Sequence, residues 1–537
     1  MGWAHCAGGN KDFAPLGLAV NMRTVKYGFL AVLGGVCSFL SAPPICLWPL
    51  LFPAVACFAA VTFFGSVRLA FASAFLWGLV YFGLLFDWVT VSSGSVLARI
   101  VLSVAEALFV AVLGVLWNGL ARFFPSARKT FAQTLFLSVF CAVLWVGIEE
   151  IRSRFPFGGM PWGLAAFSLN DSPLLRLAPY GSVHLVGFTA VAAAVLGFWA
   201  VVHIFAGKRF LAVGSGLLAA ALVLLPSAFP RHFSGRGLSP IRVGIVQGNV
   251  PTKEELAQGV GREITVSENH VRRALSLIRS EKVDLLLLPE SASDLDFRTD
   301  PQAGALFRGL AKKANVPVLL GTQHYIKNLR TNDYVLLTPE GKIGDTYSKQ
   351  HPVPFGEYLP FRSLITRIVP RAREISLDMI PGRGPAVVKV NLRGKMLKIA
   401  VPICFEVAYT SVVAQAMQDA GFLVVPTNNA SFGNTGEADQ QFAMTRFRAA
   451  EHGVSAVQVS TSGISGAVDP QGRVLYRSAL FTADSAAVKV YPAKGHTFAT
   501  RTYFSRLIAV AAANVCAAAC SLSGFAAGKI RARRPRR

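Results

Sequence analysis

The sequence predicts a polytopic α-helical membrane domain joined to one α/β domain, with a last membrane span near the C-terminal end. Three observations carry this. The 537 residues are 53% hydrophobic, with a mean hydropathy of +0.47, too apolar for a water-soluble domain of this length. The apolar residues gather into long runs before residue 233 and again over Leu507–Phe525. Between about 241 and 500, short β-like runs alternate with amphipathic helical ones.

Seven apolar runs fill the first part: Tyr27 to Ser41, Ile45 to Phe64, Leu69 to Phe86, Val96 to Leu120, Phe131 to Ile148, Val183 to Phe205 and Phe210 to Leu225. Most are long enough to cross about 30 Å of hydrocarbon at about 1.5 Å per helical residue. The first and seventh read as the short ones. Met1 to Asn21 lie outside the membrane pattern, as an N-terminal extension, and Met22 is a second candidate start. The chain thus divides into an extension (1–21), a membrane domain (22–233), an α/β domain (240–500), a C-terminal span (504–527) and a basic tail (528–537).

Basic residues set the orientation. Arg23, Lys26, Arg68, Arg122, Arg128, Lys129, Lys208 and Arg209 fall in alternate connections, whereas Ala42–Pro44 and Asp87–Ser95, read as loops, carry no Lys or Arg. Cationic loops stay in the cytoplasm, so both termini are expected there, with the 240–500 region on the opposite face. The connection from Glu149 to Ser182 contains Arg154-Phe-Pro-Phe-Gly-Gly-Met-Pro-Trp-Gly163, an aromatic stretch suited to a bilayer interface and to the rim of a lipid site. Glu106, in mid-span, calls for a polar partner or cavity.

The formal charge of +24 invites a nucleic-acid reading, but its placement argues against one. Lys529, Arg531, Arg533, Arg534, Arg536 and Arg537 crowd the end of the chain behind an apolar span, where such charge meets anionic lipid heads. Cys37, Cys46, Cys57, Cys141, Cys516 and Cys520 lie in apolar runs, and Cys6 precedes the first of them. The eight cysteines show neither a disulfide framework nor metal-ligand spacing, and with no nucleotide or flavin motif no cofactor is expected.

The α/β region reads strand by strand as Ile241 to Gln247, Asp284 to Leu288, Val316 to Gly321, Ile399 to Ile403, Phe422 to Val425 and Ala456 to Val459. Helices are expected over Val266 to Arg279, Ala303 to Ala314, Ala408 to Gln418 and Ala438 to His452. Three chemically able residues end strand-like segments in this region. Glu290 follows Leu285-Leu-Leu-Leu-Pro289, Lys349 precedes His351-Pro-Val-Pro-Phe-Gly-Glu-Tyr358, and Cys404 closes Lys398-Ile-Ala-Val-Pro-Ile-Cys404. A thiol at a strand-to-helix turn is expected to gain thiolate character from the helix N-terminus. Glu290 suits the base, Lys349 with the backbone N–H of Phe405 suits the oxyanion, and Cys404 suits the nucleophile. Glu357 and Glu406 are candidates to orient the lysine. A Cys–His dyad using His324, His351 or His452 ranks lower, because none has a comparable strand-end frame.

Leu288-Pro-Glu290, Tyr347-Ser-Lys349, and Ile403-Cys-Phe-Glu406 with Thr427-Asn-Asn-Ala430 resemble the Glu, Lys and Cys motifs of nitrilase-type carbon–nitrogen hydrolases, which implies an αββα sandwich. Val246-Gln-Gly-Asn249, Lys349-Gln-His-Pro-Val-Pro-Phe-Gly-Glu-Tyr-Leu-Pro360, Arg446-Phe-Arg-Ala-Ala-Glu451 and Asp469-Pro-Gln-Gly-Arg473 extend the resemblance, from about Met22 to the tail, to the apolipoprotein N-acyltransferase family. That resemblance implies a multi-pass protein of the bacterial inner membrane with a periplasmic catalytic domain. It implies transfer of a fatty acyl chain from a membrane phospholipid, through a Cys404 thioester, to the N-terminal diacylglyceryl-cysteine of apolipoproteins. Asn428 joins the supporting residues on the same basis.

Two departures stand out. Asn429-Ala-Ser-Phe-Gly433 stands where the family reads Asp-Ala-Trp-Phe-Gly, and Lys253-Glu-Glu-Leu256 stands where it tends to carry a Trp. Both tryptophans belong to the lipid-facing mouth, so the contacts there are this chain's own. Phe405 replaces a Tyr of some members. The competing readings are a membrane-tethered amidase with water as acceptor, a lipid-binding scaffold with an inactive domain, and a transporter built around Glu106.

Overall fold

The computed structural model describes residues 22–125, 130–230, 239–251, 261–368, 372–373, 375–493 and 495–533. The Met1–Asn21 extension, Arg128 and Lys129, the Lys253–Leu256 segment and the end of the basic tail lie outside the described residues.

The membrane domain consists of α1 (Met22–Ser41), α2 (Leu51–Phe63, entered through a 3-10 turn at Trp48–Leu50), α3 (Val67–Leu85), α4 (Asp87–Ser93), α5 (Val96–Phe123), α6 (Phe131–Arg152), α7 (Ala178–Phe205) and α8 (Arg209–Leu224). Among the described residues seven helices are long and apolar enough to cross a membrane, the last of them in the C-terminal segment, and Trp48–Phe63 is a shorter apolar helix. The chain is a multi-pass membrane protein. All eight apolar runs are helical, but the short one is the second, not the first or seventh. Helix α1 begins at Met22, and the run at α8 is continued by a 3-10 turn to Ala228. Asp87–Ser95 is not a plain loop: Asp87 opens helix α4, and Gly94 in the left-handed region (φ 64°) ends it.

The catalytic domain contains β1 (Ile241–Gln247), α9 (Arg262–Ser280), β2 (Leu285–Leu287), α10 (Pro301–Ala314), β3 (Val318–Ile326), β4 (Leu329–Leu337), β5 (Ile343–Ser348), α11 (Arg362–Ile368), β6 (Asp378–Met379), β7 (Val387–Leu392) and β8 (Lys395–Ala400). It continues with α12 (Thr410–Ala416), β9 (Phe422–Thr427), α13 (Glu437–His452), β10 (Ala456–Ser460), β11 (Gly466–Val468), β12 (Val474–Arg477) and β13 (Asp484–Val490). Helices α14 (Phe498–Arg501) and α15 (Tyr503–Arg533) return the chain to the membrane domain.

The strands form two sheets, ordered β13-β1-β2-β3-β4-β5 with β6 beside β4, and β12-β11-β10-β9-β8-β7. Helices α9 and α10 pack their apolar faces on the first sheet, burying Val271, Ala274, Phe307 and Leu310 against Leu286, Leu288 and Leu320. Helices α12 and α13 cover the second with Val412, Val413, Phe442 and Phe447. The αββα arrangement follows from strands that are apolar on both faces and so must be covered on both sides.

Strand direction positions the chemistry. β1, β2 and β3 run parallel, as do β8, β9 and β10. β5 lies two antiparallel steps from β3 and therefore points the same way. Glu290 beyond β2 and Lys349 beyond β5 thus emerge at one edge of the first sheet, and Cys404 beyond β8 emerges at the carboxyl edge of the second.

Candidate active site

Cys404 opens a five-residue 3-10 turn, Cys404–Ala408, with its own backbone in the left-handed region at φ 53°. A non-glycine residue held there costs about 1–2 kcal/mol, supplied by the buried frame around it. Sγ lies 3.2 Å from Thr427 Oγ1 and 3.5 Å from Gln441 Nε2. The surroundings work against the expected thiolate gain. Burial first, then the nearby carboxylates of Glu290 and Glu437, push the thiol up to about 12, while Lys349 pulls the other way. One short 3-10 turn sets little against that desolvation, which favours the neutral thiol.

Glu290 is 5% exposed, and its Oε1 accepts from Asn332 Nδ2 at 2.6 Å and from Lys349 Nζ at 3.4 Å. Its backbone approaches β3 so closely that a Cβ on Gly321 would lie 2.6 Å from Glu290 Cα. Lys349 is 1% exposed, and its Nζ also donates to Glu357 Oε1 at 2.7 Å. Burial works against the ammonium, but Glu357 and then Glu290 more than compensate and hold its pKa well above the usual lysine range. Lys349 is a permanent cation in a closed site. Glu357 is fixed in turn because its Oε2 accepts from the Val353 N–H at 2.7 Å.

Glu406 does not take the lysine-orienting role expected of it. Its carboxylate accepts from the N–H groups of Gln350 (2.6 Å), His351 (3.0 Å) and Ile403 (2.8 Å) and from Tyr347 Oη (2.9 Å). It pins the segments on either side of Lys349 to the residue before Cys404. Burial pushes this carboxyl up to about 6 despite those donors. Asn428 Oδ1 accepts from the Ala430 N–H at 3.2 Å and shapes the turn after β9. The Phe405 ring stacks on Trp162 with centroids 5.4 Å apart and 9° between planes, which anchors the residue next to Cys404.

Among the described residues none of the three histidines bonds Cys404. His324 Nδ1 pairs with Asp296 Oδ2 at 2.9 Å, His351 stacks on Tyr409, and His452 Nδ1 lies 2.8 Å from Thr500 Oγ1. No group of three or more His, Cys, Asp or Glu among the described residues could hold a metal.

Sequence reasoning missed Asn332, Gln441 and Glu437. Asn332 sits on β4, whose first half is too polar to read as a strand, and Glu437 looked like an ordinary first-turn acid of α13. The Arg446–Glu451 motif has a structural basis. Arg448, fully buried, donates to the carbonyls of Val407 (2.9 Å) and Ala408 (2.8 Å) and pairs with Glu451 at 2.6 Å, bracing the turn that displays Cys404.

The membrane domain closes the site. Trp162 Nε1 donates to Gln440 Oε1 at 2.6 Å, and Asn170 Nδ2 donates to the Ala443 carbonyl at 2.9 Å, so α13 rests on the Glu149–Ser182 connection. Glu106 finds its partner in Arg152 at 3.0 Å, which also donates to the carbonyls of Met160 and Trp162. Where the Trp of the family motif is replaced by Ser431, the next residue, Phe432, meets Trp88 edge-on at 5.3 Å. A cavity of about 190 Å³ lies between α6, α7 and the catalytic domain, lined among others by Glu150, Arg154, His184, His351 and Tyr409. Cys404 and Glu290 do not line it, but Tyr409 does and packs edge-on against Phe405 at 5.4 Å.

Residues 34–196 match the family model described as apolipoprotein N-acyltransferase N-terminal domain, and residues 242–493 match that described as carbon-nitrogen hydrolase. Similar proteins include the apolipoprotein N-acyltransferase of Geobacter metallireducens, 29% identical over 491 residues, covering 88% of this chain and 91% of the relative. That of Pseudomonas aeruginosa is 28% identical over 494 residues (87% and 90%), and that of Haemophilus influenzae 27% over 492 residues (87% and 90%). Among solved structures, a mutant of the Nesterenkonia AN1 amidase from the nitrilase superfamily covers 52% of this chain and 97% of its own, at 15% identity and a TM-score of 0.36. With one family model on the membrane helices, another on the catalytic sandwich and similar relatives spanning both, the chain belongs to the apolipoprotein N-acyltransferase family.

Proposed function

We propose that Cys404 takes a fatty acyl chain from a membrane phospholipid as a thioester and passes it to the α-amino group of the N-terminal S-diacylglyceryl-cysteine of an apolipoprotein. The observation that carries this is the buried Glu290–Lys349 pair, 3.4 Å apart, emerging at carboxyl strand edges with Cys404 in a site roofed by membrane-domain residues. Glu290 accepts the thiol proton as Sγ attacks the ester carbonyl. Lys349 and the Phe405 N–H stabilise the oxyanion, and the proton returns to the departing lysophospholipid oxygen. In the second half the amine attacks the thioester, Glu290 takes the amine proton, and the sulfur leaves and regains a proton. Burial of the nucleophile supports amine attack over hydrolysis, because water is kept from the thioester.

The distribution of Lys and Arg supports a cytoplasmic location for both termini, with the domain of residues 240–500 on the periplasmic face of the inner membrane. Six helices of spanning length before that domain, with the shorter apolar helix Trp48–Phe63 counted as a seventh crossing, and one long helix after it fit this topology.

The test is intact-protein mass spectrometry of the purified chain incubated with phospholipid and no acceptor. An acyl adduct that maps to Cys404, is released by hydroxylamine and transfers to a diacylglyceryl-cysteine peptide is expected. Folded protein that stays unmodified with every phospholipid would turn the reading toward an amidase that uses water.

A further inference from the structure

Thr427, the last residue of β9, and Gln441, in the second turn of α13, face Sγ with Oγ1 at 3.2 Å and Nε2 at 3.5 Å. Both are themselves held. Thr427 Oγ1 lies 2.8 Å from Gln441 Oε1, and Asn429 Nδ2 donates to that same oxygen at 2.9 Å. Asn429 Nδ2 also donates to Glu437 Oε2 at 2.7 Å, and Asn429 Oδ1 accepts from Ser460 Oγ at 2.8 Å. Thr427 and Gln441 are fully buried, and Asn429 and Glu437 are each 2% exposed.

The bonds fix which way two amides point. An amide presents an acceptor at one end and donors at the other, and only its partners decide which end faces a given neighbour. Glu437 and Ser460 hold Asn429 with its NH₂ toward Gln441. Gln441 therefore offers its oxygen to Asn429 and its NH₂ to the sulfur. Since Asn429 already serves the Gln441 oxygen, the single Thr427 hydroxyl proton can turn. It points to Gln441 while the thiol is protonated and to sulfur once the thiolate forms. Neither state leaves a buried polar atom without a partner, which would cost about 1–3 kcal/mol.

The charged groups facing Cys404 are Glu290 from beyond β2, Lys349 from beyond β5 and Glu437 from α13. Lys349 alone of these favours a thiolate. The sulfur thus needs donors on the side away from the lysine, and these two side chains supply them.

We infer that Glu437, Asn429, Gln441 and Thr427 form a positioning relay that presents two hydrogen-bond donors to the Cys404 thiolate, opposite Lys349. The inference rests on the reading of Cys404 as nucleophile. Its members act through the sulfur and need not touch the lipid.

The experiment uses the full chain in detergent micelles, with two readouts: the rate of Cys404 alkylation by iodoacetamide from about pH 6 to about pH 10, and the rate of acyl-enzyme formation from phospholipid. Thr427→Val and Gln441→Leu are expected to move the alkylation profile upward by about one pH unit and to slow acylation about tenfold at saturating lipid. Thr427→Ser should restore the wild-type profile. Gln441→Glu, of the same size, replaces the donor with an acceptor and should shift the profile further than Gln441→Leu. It carries the test if Thr427→Val does not fold. Wild-type profiles and rates in Gln441→Glu and in Thr427→Val, alongside a wild-type chain that does acylate, overturn the relay. A wild-type chain whose Cys404 never acylates overturns the nucleophile assignment instead, and the relay with it.

Discussion

Lys349 is held more closely by Glu357, at 2.7 Å, than by Glu290, at 3.4 Å. The two carboxylates have different work. Glu357 is occupied on both oxygens, by the lysine and by the Val353 N–H, and serves as a fixed counter-charge. Glu290 stands farther from the cation and also accepts from Asn332 Nδ2 at 2.6 Å, an arrangement that suits the base role proposed for it. A cation shared in this way suits the oxyanion role proposed for Lys349, because the nearer Glu357 keeps it from closing on Glu290.

Replacing Lys349 separates catalysis from folding. Lys349→Ala should lower the rate of thioester formation by about 10²–10³. It also leaves Glu290 and Glu357 buried without their cation, so a loss of about 3–5 kcal/mol in stability is expected. Lys349→Ala combined with Glu357→Gln should recover part of that stability but none of the activity. Thermal unfolding beside single-turnover acylation checks both halves, and wild-type acylation in a folded Lys349→Ala protein would remove the lysine from its role.

Cys404→Ala should abolish the acyl adduct while leaving the fold intact, because only a small buried side chain with two weak hydrogen-bond partners is lost. In the resting protein, alkylation of Cys404 should keep rising with pH and approach its limit only near the thiol's raised value of about 12. An unperturbed thiol levels off about three units lower. A plateau at neutral pH would mean a resting thiolate and contradict the desolvated site.

Glu437 gives a pH dependence of stability with a definite sign. Burial, only partly offset by the Asn429 hydrogen bond, pushes its carboxyl up to about 8, whereas the unfolded chain has the ordinary value near 4.5. Between those values the folded protein binds more protons than the unfolded one, so this group's contribution is full below about pH 4.5 and is lost as pH rises through about 8. Glu437→Gln cannot titrate. The difference in melting temperature, wild type minus variant, should therefore fall across this window, and a flat difference would refute the shift.

Arg448 and Glu451 are both fully buried, and removing one partner strands the other. Arg448→Met should cost about 3–5 kcal/mol, and the doubly apolar Arg448→Met/Glu451→Met much less. Acylation should stay low in the double variant, because the Val407 and Ala408 carbonyls behind Cys404 lose their brace in both. Recovery of stability without recovery of acylation is the pattern to look for.

Topology can be read with reporters. A fusion after Arg537 should behave as cytoplasmic, and one inserted at the exposed β4–β5 turn near Glu340 should not. Two reporters on the same side would break the proposed orientation.

The apolar runs and the strand-end placement of Glu290, Lys349 and Cys404 were legible because their signals are local: a hydrophobic stretch of helix length, or a polar residue behind a short apolar strand, is written in neighbouring residues. The paired edges followed only in part, since β4 and β5 carry polar residues such as Asn332 and Asp345 that mask a strand pattern. The sequence by itself determined a membrane protein with one α/β domain and three strand-end candidates, Glu290, Lys349 and Cys404, in that order. Only the tertiary structure decided that Glu357 rather than Glu406 holds the lysine, that Asn332 steadies Glu290 across 42 positions, and that Gln441 reaches a sulfur 37 positions away. It also decided that burial and the facing carboxylates oppose a thiolate at Cys404. The physical reason is shared by all four: hydrogen-bond partners and desolvation are properties of the space around a group, and strand order and helix docking create that space between residues distant in the chain.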